Sequence, residues 1–304
     1  MVGIETGSKS VISLNLNHIV QDWAKSLNTN QSRSEIGAEL YNNQNVQESF
    51  LSYLGNILER VYKYHEAYNS ILWDMYNSNL LPVYKAGFID LDKQYLTIGI
   101  VGLSAAAEFL GYKISVNDEY EKFCQRTFDF IKHKNSEHKT RNTLYNSELV
   151  PAESCGAKLY NYDKEHNYWV PTDINLYTSY IFRPYDPELS ILDRIKMHGS
   201  EFIGDRLDGG SSAHINEDAH PSYEQYLKII KYAAEVGCQY LGFNVPNSEC
   251  KDCGYITKHP IDVCPKCGSK NIAYWDRIIG YLSRIDNWSA PRRIEQKTRV
   301  YSHI

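Results

Sequence analysis

Two hydrophobic periods alternate along the chain. Residues 10–20, SVISLNLNHIV, switch between apolar and polar in the period-two manner of a half-buried strand, which places Ser13, Asn15 and Asn17 on one face. From residue 34 onward the spacing turns helical, with Phe50, Leu54, Ile57, Leu58 and Val61 three and four apart, and Pro82 marks the end of one long helix or of two. The run GFIDLDKQYLTIGIVGLSAAAEFLGY reads as a loop, an apolar strand and a helix closed by Gly111; a charged amphipathic helix follows, through Lys132. Residues 143–181 hold three strand-like pieces, TLYNSELVPAE, AKLYNYD and YWVPTD, separated by turn-forming residues. A further helix covers 223–236 and stops at Gly237. Strands and helices interleave without a fixed internal repeat, so the expected class is α/β.

Composition narrows the partners. A chain of 304 residues, 42% apolar and 13% aromatic, buries a substantial core and excludes disorder as the global state. A net charge of −5 and no long basic block exclude a broad nucleic-acid grip, although a nucleotide remains a fitting substrate. The start MVGIETGSK lacks a secretory pattern, and the most apolar stretch, 95–112, is interrupted by Thr97, Gly99, Ser104 and Glu108. The expectation is a cytoplasmic protein with no membrane partner.

Four of the seven cysteines lie in the segment CKDCGYITKHPIDVCPKCGS. Cys250 and Cys253 form one C-x2-C knuckle, Cys264 and Cys267 another, and each ends at a glycine, Gly254 or Gly268. Four thiolates converging from two tight turns complete a closed tetrahedral shell that suits structural Zn²⁺, with a rubredoxin-like iron site as the chemical competitor. The remaining three, Cys124, Cys155 and Cys238, are scattered, and packing is the plain role for Cys155 and Cys238.

The residues that follow, DRIIGYLSRIDNWSAPRRIEQKTR, resemble the tail of the anaerobic, glycyl-radical ribonucleotide reductases. In that family a four-cysteine ribbon precedes an Arg-x-x-Gly-Tyr-Leu loop, matched by Arg277, Gly280, Tyr281 and Leu282; a tryptophan, basic residues and a glutamate follow, matched by Trp288, Arg292 and Glu295. Upstream, GFIDLDKQYLTIGIVGLSAAAEFLG, the VPAE segment and GCQYLGFNVPNSEC are similar too, so the likeness runs from the SLNLN strand to the tail. The resemblance implies the C-terminal half of a ten-stranded glycyl-radical-enzyme barrel over 1–245, a zinc ribbon over 246–273, and a radical-bearing loop and tail over 274–304.

It further implies that Gly280 stores a radical, which suits glycine because no side chain crowds a planar α-carbon. An S-adenosylmethionine/iron–sulfur activase generates that radical, and a cysteine thiyl then takes the 3′ hydrogen of a ribonucleotide. The family's thiyl cysteine precedes the strand matched by SVISLNLN, where this sequence offers only MVGIETGSK. The expectation is therefore a split enzyme or a gene fragment, inactive until an N-terminal chain supplies that cysteine, and a homo-oligomer once assembled. Asn15 and Glu153 are candidates for touching substrate, by an amide hydrogen bond and by acid–base chemistry; a strand-end cap and a salt bridge are their plain alternatives. The stretch GGSSAHINEDAH, 209–220, with His214 and His220, reads as a surface loop. The competing function is a catalytically silent zinc-ribbon adaptor.

Overall fold

The computed structural model of the protein describes residues 7–151, 154–218 and 220–302. In chain order the elements are β1 (Gly7–Asn15), α1 (Leu16–Ser26), α2 (Arg33–Asn42), α3 (Gln44–Asn77), α4 (Pro82–Lys85), β2 (Gln94–Val101), α5 (Leu103–Phe109), α6 (Asp118–His138) and β3 (Leu144–Glu148). There follow α7 (Cys155–Glu165), α8 (Ile191–Met197), β4 (Ala213–Asn216), α9 (Tyr223–Glu235), β5 (Leu241–Asn244), β6 (Asn247–Cys250), β7 (Ile256–Thr257), β8 (Ile272–Arg277), β9 (Leu282–Arg284) and α10 (Ala290–Thr298). No helix among the described residues is long and apolar enough to cross a membrane.

The first strand ends earlier than its alternation suggests. Asn15 Oδ1 accepts the His18 N–H and caps α1, whose buried Leu16, Ile19, Val20, Trp23 and Ala24 follow a helical spacing that the short window 10–20 cannot separate from alternation. Asn17 therefore lies on a helix and not beside Asn15 on a strand. The long helical region divides at Asn43, after a Ser32–Glu35 capping box opens α2. Two of the three strand-like pieces are not strands: AKLYNYD lies in α7, whose Gly156, Ala157, Tyr160 and Asp163 share a buried helical face, and YWVPTD is irregular.

β1, β2 and β3 form a parallel sheet in that order. Its outer face carries Leu14, Leu96, Ile98, Ile100 and Tyr145 into a core with Trp23, Phe50, Leu54, Leu58, Tyr62, Phe123 and Phe128. The inner face is more polar and small. A Cβ on Gly99 would lie 2.9 Å from Ser13 Oγ and 2.9 Å from a Val150 methyl, so these groups share that face. Thr97 Oγ1 donates to Asn146 Oδ1 at 2.7 Å across the same side. β4 and β5 form a second parallel pair, linked to β3 by the parallel bridge Glu148–Gly210. Among the described residues the parallel strands are thus three plus two.

The loop expected over 209–220 is divided: Ala213, His214, Ile215 and Asn216 are buried in β4, and only its two ends are turn-like. The last four strands build an antiparallel sheet ordered β7-β6-β8-β9, so that β8 runs without a break from the cysteine knuckles to the glycine loop.

Candidate functional site

The two knuckles meet. All four cysteine Sγ atoms lie within 4.8 Å of one another, with Cys250–Cys267 and Cys253–Cys264 each at 3.6 Å. A tetrahedral shell with Zn–S near 2.3 Å has S–S edges of about 3.8 Å, so the four thiols fit a single structural metal with no open position. Each turn is closed by an amide-to-carbonyl bond of 2.9 Å, from Gly254 to Cys250 and from Gly268 to Cys264. Both glycines sit at positive φ, +72° and +74°, the left-handed conformation that lets a knuckle fold back.

Gly280 sits at the tip between β8 and β9, where Ile278 N–H donates to Tyr281 O at 3.1 Å and the Arg277 guanidinium donates to Gly280 O at 3.2 Å. Nothing lies within 4 Å of the position a Cβ would take there. The tip borders a cavity of about 250 Å³, walled by Gly280, Ile279, Glu148, Tyr180, His214 and the 209–212 turn. Tyr180 and His214 form a pair, phenol to Nδ1 at 2.7 Å. Burial, reinforced by the charges of Arg277 and Arg299, lowers His214 to about 3, and burial raises Tyr180 to about 12. The imidazole stays neutral and the phenol stays protonated, so the phenol is the natural donor.

What holds the glycine loop is Arg299, which sequence reasoning did not single out. Its guanidinium donates to Arg277 O at 2.8 Å and to Ile278 O at 3.0 Å, and grips both Glu295 oxygens at 2.9 Å. Asp276 lies 3.5 Å away, with Tyr301 O–H donating to it at 2.6 Å. Burial works against the Arg299 charge, but Glu295 outweighs it and raises the guanidinium pKa above its ordinary value. Beyond Arg299 the chain is fastened to the body by Val300 N–H on Pro184 O and Ser302 N–H on Asn216 O. Glu295, on the predominantly polar α10, and Arg299, the residue that ends it, are four apart, and that spacing was the only available signal.

Asn15 is committed at both ends of its amide. Oδ1 caps α1, and Nδ2 donates to Asp163 Oδ2 at 2.9 Å, which fixes the amide and leaves one N–H uncommitted. Asp163 is fully buried and also accepts from Tyr177 O–H at 2.6 Å and pairs with His18 Nδ1 at 2.7 Å. Burial alone would raise the Asp163 pKa, but the bonds from His18, Tyr177 and Asn15 bring it below the ordinary value. The hydrogen bond to Asp163 raises that of His18. Asp163 was hidden because its segment alternates like a strand. Glu153 lies outside the described residues. Cys155 is half-buried at the start of α7, Cys124 is buried in α6, and Cys238 is half-buried in the turn before β5. His214 and His220 are parted, the first in the cavity and the second exposed beside Tyr226.

A family model described as anaerobic ribonucleoside-triphosphate reductase matches residues 1–301. Among solved structures, an anaerobic ribonucleotide reductase aligns with a TM-score of 0.83 at 25% identity, covering 99% of this chain and 46% of that one. The anaerobic ribonucleotide reductase from Thermotoga maritima with MES in the active site aligns with a TM-score of 0.78 at 25% identity, covering 94% of this chain and 45% of that one. The same enzyme in complex with dATP and CTP shares the fold, with a TM-score of 0.77 at 24% identity over 97% of this chain and 45% of its own. The chain therefore spans less than half the length of these solved structures. No curated protein matches it.

Proposed function

The chain belongs to the anaerobic ribonucleoside-triphosphate reductase family, and from that premise we propose that it is the radical-bearing C-terminal portion of an enzyme that reduces ribonucleotides to deoxyribonucleotides. Gly280 is the radical store, and an S-adenosylmethionine/iron–sulfur activase generates the radical. The thiyl cysteine comes from the N-terminal portion of the reductase, and that portion completes a ten-stranded barrel. The assembled enzyme is cytoplasmic and homo-oligomeric.

One observation carries this reading. Gly280 stands at an unobstructed loop tip beside a cavity, shortly after a four-cysteine cluster, and the carbonyls of Arg277 and Ile278, where its loop leaves β8, are held by a buried arginine. An adaptor that had lost its chemistry needs no such fastening. Cys250, Cys253, Cys264 and Cys267 would hold a structural Zn²⁺, which would stabilise the turns from which β8 departs without offering an open position for chemistry. Within the chain, Arg299 and Glu295 keep the loop in place and Asn15 offers its remaining N–H toward a ribose hydroxyl; acid–base chemistry is assigned to Glu153 from the sequence alone.

Anaerobic activation with the cognate activase, S-adenosylmethionine and the N-terminal portion tests the reading. The expected electron paramagnetic resonance signal is a carbon-centred doublet, split by the remaining α hydrogen. Exposure to air then cuts the backbone at residue 280. No signal from activated enzyme, or cleavage at Gly254 or Gly268, rules the assignment out.

A further inference from the structure

Among the described residues the Gly280 carbonyl accepts one hydrogen bond, and its donor is a cation: Arg277 Nη1 lies 3.2 Å away. The neighbouring carboxylates are engaged elsewhere. Asp276 lies 3.5 Å from Arg299 and accepts from Tyr301 O–H at 2.6 Å, and both Glu295 oxygens are gripped by Arg299. The Arg277 guanidinium forms no ion pair among the described residues, and its Nε is buried without a partner. Gly242 makes room for it beside His214, since a Cβ at 242 would lie 2.9 Å from the His214 ring and 4.0 Å from Arg277 Nε. A half-buried cation kept without a counter-charge costs stability, so its one bond calls for a reason.

Holding the loop is not that reason. Arg299 donates to Arg277 O at 2.8 Å and to Ile278 O at 3.0 Å, Asn244 Oδ1 accepts the Arg277 amide at 3.1 Å, and Ile278 N–H closes the turn on Tyr281 O at 3.1 Å. None of these bonds uses the Arg277 side chain. The other polar groups of the cavity leave the glycine alone: Tyr180 is spent on His214 at 2.7 Å, and nothing stands within 4 Å of the Cβ position at 280. The guanidinium is thus free to act on the electrons of the carbonyl it faces.

Resting on the reductase reading above, we propose that Arg277 tunes the Gly280 radical through the Gly280 carbonyl. Activation breaks the Cα–H bond evenly: the hydrogen atom leaves whole, to the carbon radical that the activase makes from S-adenosylmethionine, and one electron stays on Cα. No charge is left on the loop. The Gly280 nitrogen feeds its lone pair into the half-filled orbital, and the carbonyl draws density out of it. In the form that carries spin beyond Cα, the carbonyl oxygen is more negative than in resting glycine. The guanidinium N–H already points at that atom, so it binds the radical more strongly than it binds the resting loop. Arg277 therefore moves spin from Cα toward oxygen and prolongs storage of the radical.

The test combines two measurements. In the full chain without activase, the Gly280 carbonyl labelled with ¹³C and ¹⁸O should show an infrared band that moves to higher frequency in Arg277→Met, which keeps the bulk and loses the donor. Metal content and amide protection over 272–284 should stay as in wild type. An unmoved band overturns the proposal. In the activated enzyme, the methionine variant should give a wider α-hydrogen splitting, as spin returns to Cα, and an anaerobic radical half-life shorter by up to about tenfold, the size of one charge-assisted hydrogen bond. Arg277→Lys, a point charge in place of a planar fork, should give intermediate values. A wild-type splitting in the methionine variant overturns the proposal and leaves the reductase reading standing. Should that variant take up no radical, the lysine variant decides, and a wild-type splitting there overturns the proposal equally. Absence of any radical in the wild-type enzyme overturns the reductase reading, and this role falls with it.

Discussion

Asp163 and Arg299 are both buried charges, and each fastens a residue of interest: Asp163 fixes the amide of Asn15, and Arg299 fixes the loop that carries Gly280. Their surroundings differ in kind. Asp163 is satisfied by neutral donors, Asn15, Asn17 and Tyr177, together with one titratable group, His18. Arg299 is satisfied by two carboxylates and two backbone carbonyls, with no imidazole among them. The Asn15 end of the molecule is therefore sensitive to pH through His18, whereas the Gly280 end is held by a charge balance that is already complete. A loop that must present one α-carbon reproducibly gains from the second arrangement.

The largest expected effect tests whether the two ends are independent. Cys264→Ser, or chelation, should abolish binding of about one metal ion and remove stabilisation on the order of 10 kcal/mol from the ribbon. Because β6 pairs with β8, hydrogen exchange should accelerate across 272–284 and the Arg299 contacts should loosen. Amides of β1 and α1 around Asp163 should keep their protection; if they exchange as fast as β8, the two ends are one cooperative unit. Next in size is Arg299→Ala, which takes the bidentate partner from Glu295, leaving it Arg292 at 3.8 Å, and removes the cation 3.5 Å from the buried Asp276. Breaking a buried pair in this way costs roughly 3–5 kcal/mol, read by urea denaturation. Arg299→Lys should restore only part of it, since an ammonium cannot grip both Glu295 oxygens and both carbonyls together. Full stability in the alanine variant would show that the knot is incidental.

The same contrast explains what could be read from sequence. The cysteine knuckles were legible because four ligands sit in two turns, each closed within five residues, and local spacing fixes their geometry. The Arg-x-x-Gly-Tyr-Leu loop was legible only by resemblance, since a glycine in a turn carries no chemistry of its own. Asp163 and Arg299 escaped because each acts on residues far away in the chain: Asp163 meets Asn15 across 148 positions and Arg299 meets Arg277 across 22. The strand and helix periods of SVISLNLNHIV overlap, and the cap at Asn15 decides between them. AKLYNYD was misread for a related reason, because its buried face includes an aspartate that pattern reading counts as polar.

A smaller effect sharpens the pH side of the comparison. His18 has its pKa raised above 6.5, chiefly by its bond to Asp163, so its contribution to stability is complete below that value and fades as pH rises through the raised one. Asp163 has its pKa lowered below 3.8, so its contribution is present above that value and fades only as pH falls through the lower one. Wild-type stability should decline modestly as pH rises through the raised His18 value, and His18→Gln should flatten that decline; because the His18 bond is also the largest of those that lower Asp163, the variant should begin to lose stability at a higher pH on the acid side. An unchanged alkaline slope in the glutamine variant would assign the titration to another group.

The smallest expected effect on the fold belongs to the residue on which the proposed chemistry depends most. Gly280→Ala meets no atom within 4 Å of its new Cβ, and Gly280 does not lie in the left-handed region, so the folded state accepts the methyl without strain. The unfolded chain loses conformational freedom, and stability should be unchanged or higher by up to about 1 kcal/mol. Metal content and Arg299-dependent protection should be unchanged as well. The radical signal and the air-dependent cut at residue 280 should nevertheless vanish, because an alanine α-carbon must place its methyl group in the plane of both flanking peptides to become a planar radical, and that crowding arises inside the residue, whatever space surrounds it. Thermal denaturation, metal analysis and electron paramagnetic resonance on one preparation separate the two consequences. A variant that is stable, metal-loaded and radical-free locates the chemistry at Gly280 independently of any folding defect, while a variant that keeps the wild-type doublet moves the radical to another residue.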